Sequence, residues 1–227
     1  MDPSTVDPPR RTGANAALLE VHVWGEFACF TRPEMKVERV SYPVMTPTAA
    51  RGVLEAIFWK PEFRWQIREI HVLNPIRWFS ILRNEVNTRA SERVARKWEA
   101  DGRGGYNASG DRAQRHTLAL RDVAYVIRAA QVFRPDVTDD PAKYRDQFRR
   151  RVQDGRCFAT PFLGCREFSA SFGPVDPNQR PMPLNEDFGR ILWEIDYRAD
   201  GQGDPRFFDA RVVDGVMHVP PATKGAP

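Results

Sequence analysis

The chain has 227 residues, 41% of them hydrophobic, enough to bury one sizeable core or one domain with a smaller appendage. Lys and Arg number 34 against 30 Asp and Glu, and the resulting net charge of +4 permits a nucleic-acid partner without requiring one. Every apolar run falls short of the roughly 18 residues that cross a bilayer, and MDPSTVDPPRRTGANAA lacks the apolar stretch of a secretory signal, so the reading is cytoplasmic with no membrane partner.

In chain order, residues 1–16 read as a disordered arm. LLEVHVWGEFACF then alternates apolar and polar residues as a half-buried strand does. TRPEMKVERVSYPVM reads as a loop of mixed charge. A helix is predicted over TPTAARGVLEAIFWKP, because Thr46 can cap it, Pro47 fits its first turn and Pro61 lies past its end. FRWQIREIHVLNPIRWFSILRNEV reads as strand, with Pro75 at a bulge or edge. Residues 87–114 are polar, Gly-rich and basic, and read as an excursion with a helical turn near Val94 to Trp98. A strand runs from about Thr117 to Phe133. DDPAKYRDQFRRRVQDG is a second helix, with Asp139 or Asp140 as cap, Gly155 as stop, and Tyr144, Phe148 and Val152 on one face. CFATPFLGCREFSASF reads as the next strand.

Strand, helix, strand, strand, helix, strand is the order of a ferredoxin-like βαββαβ domain, the α+β architecture of RNA-recognition modules. We place it at 17–172. Residues 173–220 follow as a small C-terminal antiparallel sheet, in which Asp214-Gly215 is a two-residue hairpin signal. Residues 221–227 are a tail.

Several chemistries are excluded by pattern. The sequence has no GxxxxGK, GxGxxG, HExxH or GxSxG string. Cys29, Cys157 and Cys165 are odd in number and lack zinc-ligand spacing, so they read as small buried hydrophobes in a reducing compartment. Among the four histidines, His22 and His71 fall in strand patterns and read as packed, and His218 receives no role. No metal and no cofactor is expected.

The positive signal is cationic. From Asp140 to Arg156, Lys143, Arg145, Arg149, Arg150, Arg151 and Arg156 outnumber Asp140, Asp146 and Asp154. Arg32, Lys36 and Arg39 in the first loop, Arg51 on the first helix, Arg83, and Arg115 add candidates for contact with RNA phosphate. Trp59, Trp65, Trp78, Trp98 and Tyr106 lie between them, as rings for base stacking or as core. A solvated face explains any single cation, whereas the set on such a sheet favours RNA. Metal-free RNA cleavage suits such a scaffold, because the ribose 2′-OH is itself the nucleophile. It needs a base, a cation and an acid. Lys143 and Tyr144 near a helix N-terminus, and His116 beside Arg115, are candidates by type and position.

GEFACFTRPEMKVERVSYPVMTPTAARGVLEAIFWKP, HVLNPIRW, RNEV, LALRDVAYVI, DPAKY, FRRR and PFLGCREF resemble the Cas5d family, the type I-C CRISPR subunit among the repeat-associated RAMP proteins. The resemblance runs from about Gly25 to Phe168. It implies metal-independent cleavage of the repeat in precursor CRISPR RNA and retention on the 5′ handle of the mature CRISPR RNA. It also implies membership of the type I-C Cascade complex, beside a repeated backbone subunit and a large subunit, with target DNA reached through the complex. The family's catalytic set is a Tyr, a Lys and a His. Its Tyr-Trp-Lys-Pro string is Phe58-Trp59-Lys60-Pro61 here, and its Lys-His pair is Lys143-Tyr144. Lys143 is therefore kept, while Phe58 and Tyr144 replace the Tyr and the His. Either His116, Tyr42 or Tyr144 rebuilds the site, or cleavage is slow or absent. The alternatives are a non-catalytic handle-binding and assembly subunit and, more remotely, a generic single-stranded RNA-binding module.

Overall fold

The computed structural model describes residues 18–35, 37–88 and 91–221. The expected arm, the end of the tail and Lys36 lie outside them. Strand β1 (Leu19–Ala28) buries Leu19, Val21 and Val23 and turns Glu20 and Trp24 outward. The two-residue β2 (Arg39–Val40) follows. Helix α1 (Pro47–Ile57) is capped as expected, the Thr46 hydroxyl accepting from the Ala49 N–H at 3.3 Å. Extended backbone at Phe58 ends it.

The predicted strand over 63–86 is two strands, β3 (Phe63–Val72) and β4 (Trp78–Val86). They do not pair with each other. Both pair with β5 (Arg112–Phe133), β4 along its first half and β3 along its second. The handover lies at Asp122, whose φ of 53° bends β5. Asn74 Nδ2 donates to the Asp122 carbonyl at 2.7 Å, and Arg77 pairs with its carboxylate at 3.2 Å. Pro75 sits in this connection rather than at a strand bulge, and the bulge of β3 falls between Ile67 and Glu69. The excursion holds a full helix, α2 (Glu92–Asp101), with no buried residue.

Helix α3 (Pro141–Gln153) starts at Asp140, whose carboxylate accepts from the Ala142 N–H at 2.9 Å, and stops before Gly155 with φ at 65°. Tyr144, Phe148 and Val152 are buried as their spacing predicts. Phe148 packs on Trp65, with ring centroids 4.8 Å apart. The strand expected over 157–172 reduces to β6 (Ser171–Gly173), because 156–170 folds as a compact loop on the ends of β1 and α1. Then come β7 (Glu186–Tyr197), β8 (Gly203–Val213) and β9 (Val216–His218). Asp214 and Gly215, both with positive φ, form the two-residue turn between β8 and β9.

Hydrogen bonding runs β6-β1-β5-β3-β9-β8-β7. The C-terminal strands therefore continue the first sheet through the β3–β9 ladder instead of standing apart. Along β6-β1-β5-β3 every pairing is antiparallel. α1 and α3 cover one face of this segment, over a core that includes Val21, Leu54, Ile57, Ile70 and Ile127.

Candidate nucleic-acid interface

Helix α3 brings Lys143 and Tyr144 together at its first turn, and Asp139 joins them. The Tyr144 ring is core, 5.2 Å from Phe133 and 5.8 Å from Phe63 between centroids. Its hydroxyl donates to Asp139 Oδ2 at 2.8 Å, and Lys143 Nζ lies 3.0 Å from the same oxygen. The bond to Asp139, with desolvation and the charges of Asp139 and Glu62, pushes the phenol up to about 12. The same bond and Lys143 hold the Asp139 carboxyl below its ordinary range. At neutral pH, Tyr144 is thus a proton donor and not a base.

The rest of the family set does not assemble. Phe58 is fully buried beneath the Arg151 guanidinium, 5.6 Å above its ring, and has no proton to give. Tyr42 is buried, and that burial, with Glu34 beside it, raises its phenol. His116 stands near the start of β5, opposite Leu82, and its backbone N–H donates to the Glu38 carboxylate. It is separated from Phe133, where Tyr144 packs, by a strand contour of roughly 55 Å at 3.3 Å per residue. β1 pairs with β5 on both sides of the Asp122 bend, so the strand does not fold back on itself.

The predicted cations divide by partner. Arg149 pairs with Asp146 at 2.9 Å, while Arg145 and Arg150 have no ion-pair partner among the described residues. Arg150, Arg151 and Arg156 line an open depression of about 450 Å³ with Gln147, Asp154 and Cys157. Arg32 lies over the Tyr42 ring, 4.8 Å from its centroid. Arg51 pairs with Glu194 of β7 and with Glu55. Arg115 bonds Asn87 at 3.0 Å and lies 3.9 Å from Glu38. Arg39 and Arg83 are both bound to Glu85 and Glu167 and knit the 156–170 loop, which precedes β6, to β4. Among the aromatics, Trp65 is core, its indole N–H donating to the Phe58 carbonyl at 2.9 Å, whereas Trp59 and Trp78 are exposed.

Two groupings were invisible in the sequence. Arg39 Nη1 also donates to Cys165 Sγ at 3.4 Å, and Thr31 Oγ1 lies 3.5 Å from Cys29 Sγ and 3.8 Å from Cys165 Sγ. Hydrogen bonds from Cys29 and Thr31 and the Arg39 charge lower the Cys165 thiol, and Cys29 is raised. The second grouping is Glu20, Arg128, Glu69, His71 and His218, on the sheet face away from the helices. An in-register row across four strands joins residues far apart in the chain, and no local pattern reports it.

A family model for Cas5d, described as CRISPR-associated protein (Cas_Cas5), matches residues 18–220. The chain belongs to the Cas5d family. It is 45% identical over 221 residues to a Thermus thermophilus protein named CRISPR pre-crRNA endoribonuclease Cas5d, covering 90% of this chain and 92% of the relative. It is also 45% identical over 222 residues to a protein of the same name from Mannheimia succiniciproducens, covering 91% and 96%. Its fold is similar to a crystal structure titled CRISPR-associated protein, with TM-score 0.64, 23% identity, and 90% and 92% of the two chains covered. It is also similar to SMU1763c from Streptococcus mutans, titled functionally uncharacterized, with TM-score 0.63, 20% identity, and 91% and 93% covered.

Proposed function

We propose that this Cas5d protein cuts precursor CRISPR RNA within the repeat, by metal-independent attack of a 2′-OH on the adjacent phosphate, and then holds the 5′ handle. The observation that carries this reading is identity of 45%, over nine-tenths of both chains, to two proteins named pre-crRNA endoribonucleases. The β6-β1-β5-β3 segment with α1 and α3 on one face is read as the ferredoxin-like unit, with β7, β8 and β9 as its C-terminal extension. Arg145, Arg149 and Arg150 on α3, with the depression beside Arg156, suit an RNA backbone. Lys143 adds charge at the helix N-terminus, where backbone N–H groups also favour phosphate. In the cell the neighbours are the repeated backbone and large subunits of type I-C Cascade, in the cytoplasm. Among the described residues no helix is long and apolar enough to cross a membrane.

A handle-binding subunit without turnover is the second reading. It is favoured by two observations: Phe58 is core, and the Tyr144 hydroxyl is committed to Asp139. Purified protein incubated with repeat RNA in excess chelator separates the two. Cleavage that a single 2′-deoxy substitution at the scissile nucleotide abolishes supports the enzyme. Tight binding with intact RNA supports the second reading.

A further inference from the structure

Cleavage by 2′-OH attack needs a group that takes a proton at neutral pH, and the first turn of α3 offers none. The opposite face of the sheet carries two imidazoles, His71 and His218, around one carboxylate. Glu20 on β1, Arg128 on β5, Glu69 on β3 and His218 on β9 stand directly opposite one another across four strands. His71 lies two residues from Glu69 on the same face, in the next row, opposite Val126 and Val216. Glu69 is the hub. Its Oε2 is 2.9 Å from His71 Nε2 and accepts from Arg128 Nη1 at 2.8 Å, and its Oε1 is 3.8 Å from His218 Nδ1. Glu20 flanks Arg128 on the far side, 3.6 Å from Nε. Burial alone would raise the Glu69 carboxyl, but the bonds from His71 and Arg128 outweigh it and keep the carboxylate ionised.

The row is open to a ligand. The His218 side chain is 73% exposed and that of Arg128 34%, while His71 and Glu69 keep 18% and 19% at the floor of the row. One wall is the segment after β6, where Gln179 Nε2 comes to 3.5 Å from His22 Nε2 and the Met182 N–H donates to the Val72 carbonyl. Trp24, exposed and stacked on His22 at 4.6 Å, stands on the same face two rows along and offers a ring for a neighbouring base.

We propose that His71, Arg128 and His218 are the catalytic residues of the RNA cleavage, with Glu69 as their positioning residue. This rests on the endoribonuclease reading above. Glu69 accepts the Nε2–H of His71 and so leaves the lone pair on Nδ1. Nδ1 takes the proton of the ribose 2′-OH. The O2′–P bond forms as the P–O5′ bond breaks, and the Arg128 guanidinium lies against the non-bridging oxygens. Protonated His218 gives its proton to the departing 5′-oxygen. His71 gains one proton and His218 loses one, and the products are a 2′,3′-cyclic phosphate and a 5′-hydroxyl. With both imidazoles neutral, Glu20 and Glu69 outweigh Arg128 by one charge. Protonation of His218 cancels that excess, so the acid also removes the local repulsion of phosphate.

The test is single-turnover cleavage of repeat RNA in excess chelator by wild type, His71→Ala, His71→Asn, His218→Ala and Glu69→Gln. A second substrate carries sulfur in place of the bridging 5′-oxygen at the scissile phosphate, because a thiolate departs without being protonated. Each His71 variant and His218→Ala are expected to lose about a hundredfold or more on ordinary RNA at unchanged RNA affinity. The sulfur-bridged substrate restores His218→Ala to within about tenfold of wild type and leaves the His71 variants slow. His218 is exposed, so its replacement spares the core. Wild-type cleavage shared by the His71 and His218 variants would overturn this centre and leave the endoribonuclease reading standing. Loss without rescue by sulfur would overturn the role of His218. Intact RNA with the wild type would overturn the endoribonuclease reading itself, and the centre with it.

Discussion

The Tyr144 hydroxyl donates to Asp139 Oδ2 across 2.8 Å, and this bond occupies the phenol's proton. A phenol pushed up to about 12 keeps its proton at neutral pH, so Tyr144, which the sequence resemblance sets against the family's histidine, anchors the start of α3. Tyr144→Phe keeps the ring between Phe63 and Phe133. It is expected to cleave repeat RNA within about threefold of wild type, as a substitution outside the chemistry does. A hundredfold loss in single-turnover cleavage would return proton transfer to the phenol.

Lys143 is exposed, pairs with Asp139 and lies over the Tyr144 ring, so its expected contribution is charge toward phosphate. Lys143→Ala should weaken repeat-RNA binding and reduce the slope of log affinity against log salt by about 1. A fluorescence titration at several salt concentrations measures both. An unchanged slope would remove Lys143 from the RNA contact.

Helices α1 and α3 were legible because their signals are local, whereas only one turn of α2 was read. Thr46 and Pro47 start α1, and Asp140, Pro141 and Gly155 bound α3 around the Tyr144, Phe148, Val152 repeat. The β3–β4 break was not legible. Its cause is the bend at Asp122, half a strand away in β5, which receives Asn74 and Arg77. Nor could composition separate Arg39 and Arg83, bound to Glu85 and Glu167, from Arg145 and Arg150, which are free of ion pairs among the described residues. An arginine's type gives its chemistry, but only its tertiary neighbours say whether that chemistry is already used.

Glu69 also predicts an acid response. Its carboxyl is lowered in the folded protein, so its contribution to stability is complete above the unfolded value of about 4.3 and is lost as pH falls through the folded value. Glu69→Gln removes this titration. Melting temperature followed from neutral pH down through that window should fall less steeply in the variant than in wild type. Parallel curves would show that the carboxylate is not held ionised by His71 and Arg128.

Gly164 has φ of 84°, and a Cβ there would overlap the Cys29 carbonyl oxygen. Gly164→Ala therefore meets backbone strain of about 1–3 kcal/mol and a carbonyl that also accepts from Cys165 Sγ at 3.6 Å. Urea denaturation should show a loss of at least that size. A variant as stable as wild type would contradict this packing of the 161–170 loop on the end of β1.

The central claim is tested most directly by the ends of the RNA fragments made in excess chelator. Attack by the 2′-OH predicts a 2′,3′-cyclic phosphate on the upstream fragment and a 5′-hydroxyl on the downstream one, read by mass spectrometry of both. A 3′-hydroxyl with a 5′-phosphate, or cleavage that appears only when divalent metal is restored, would contradict it.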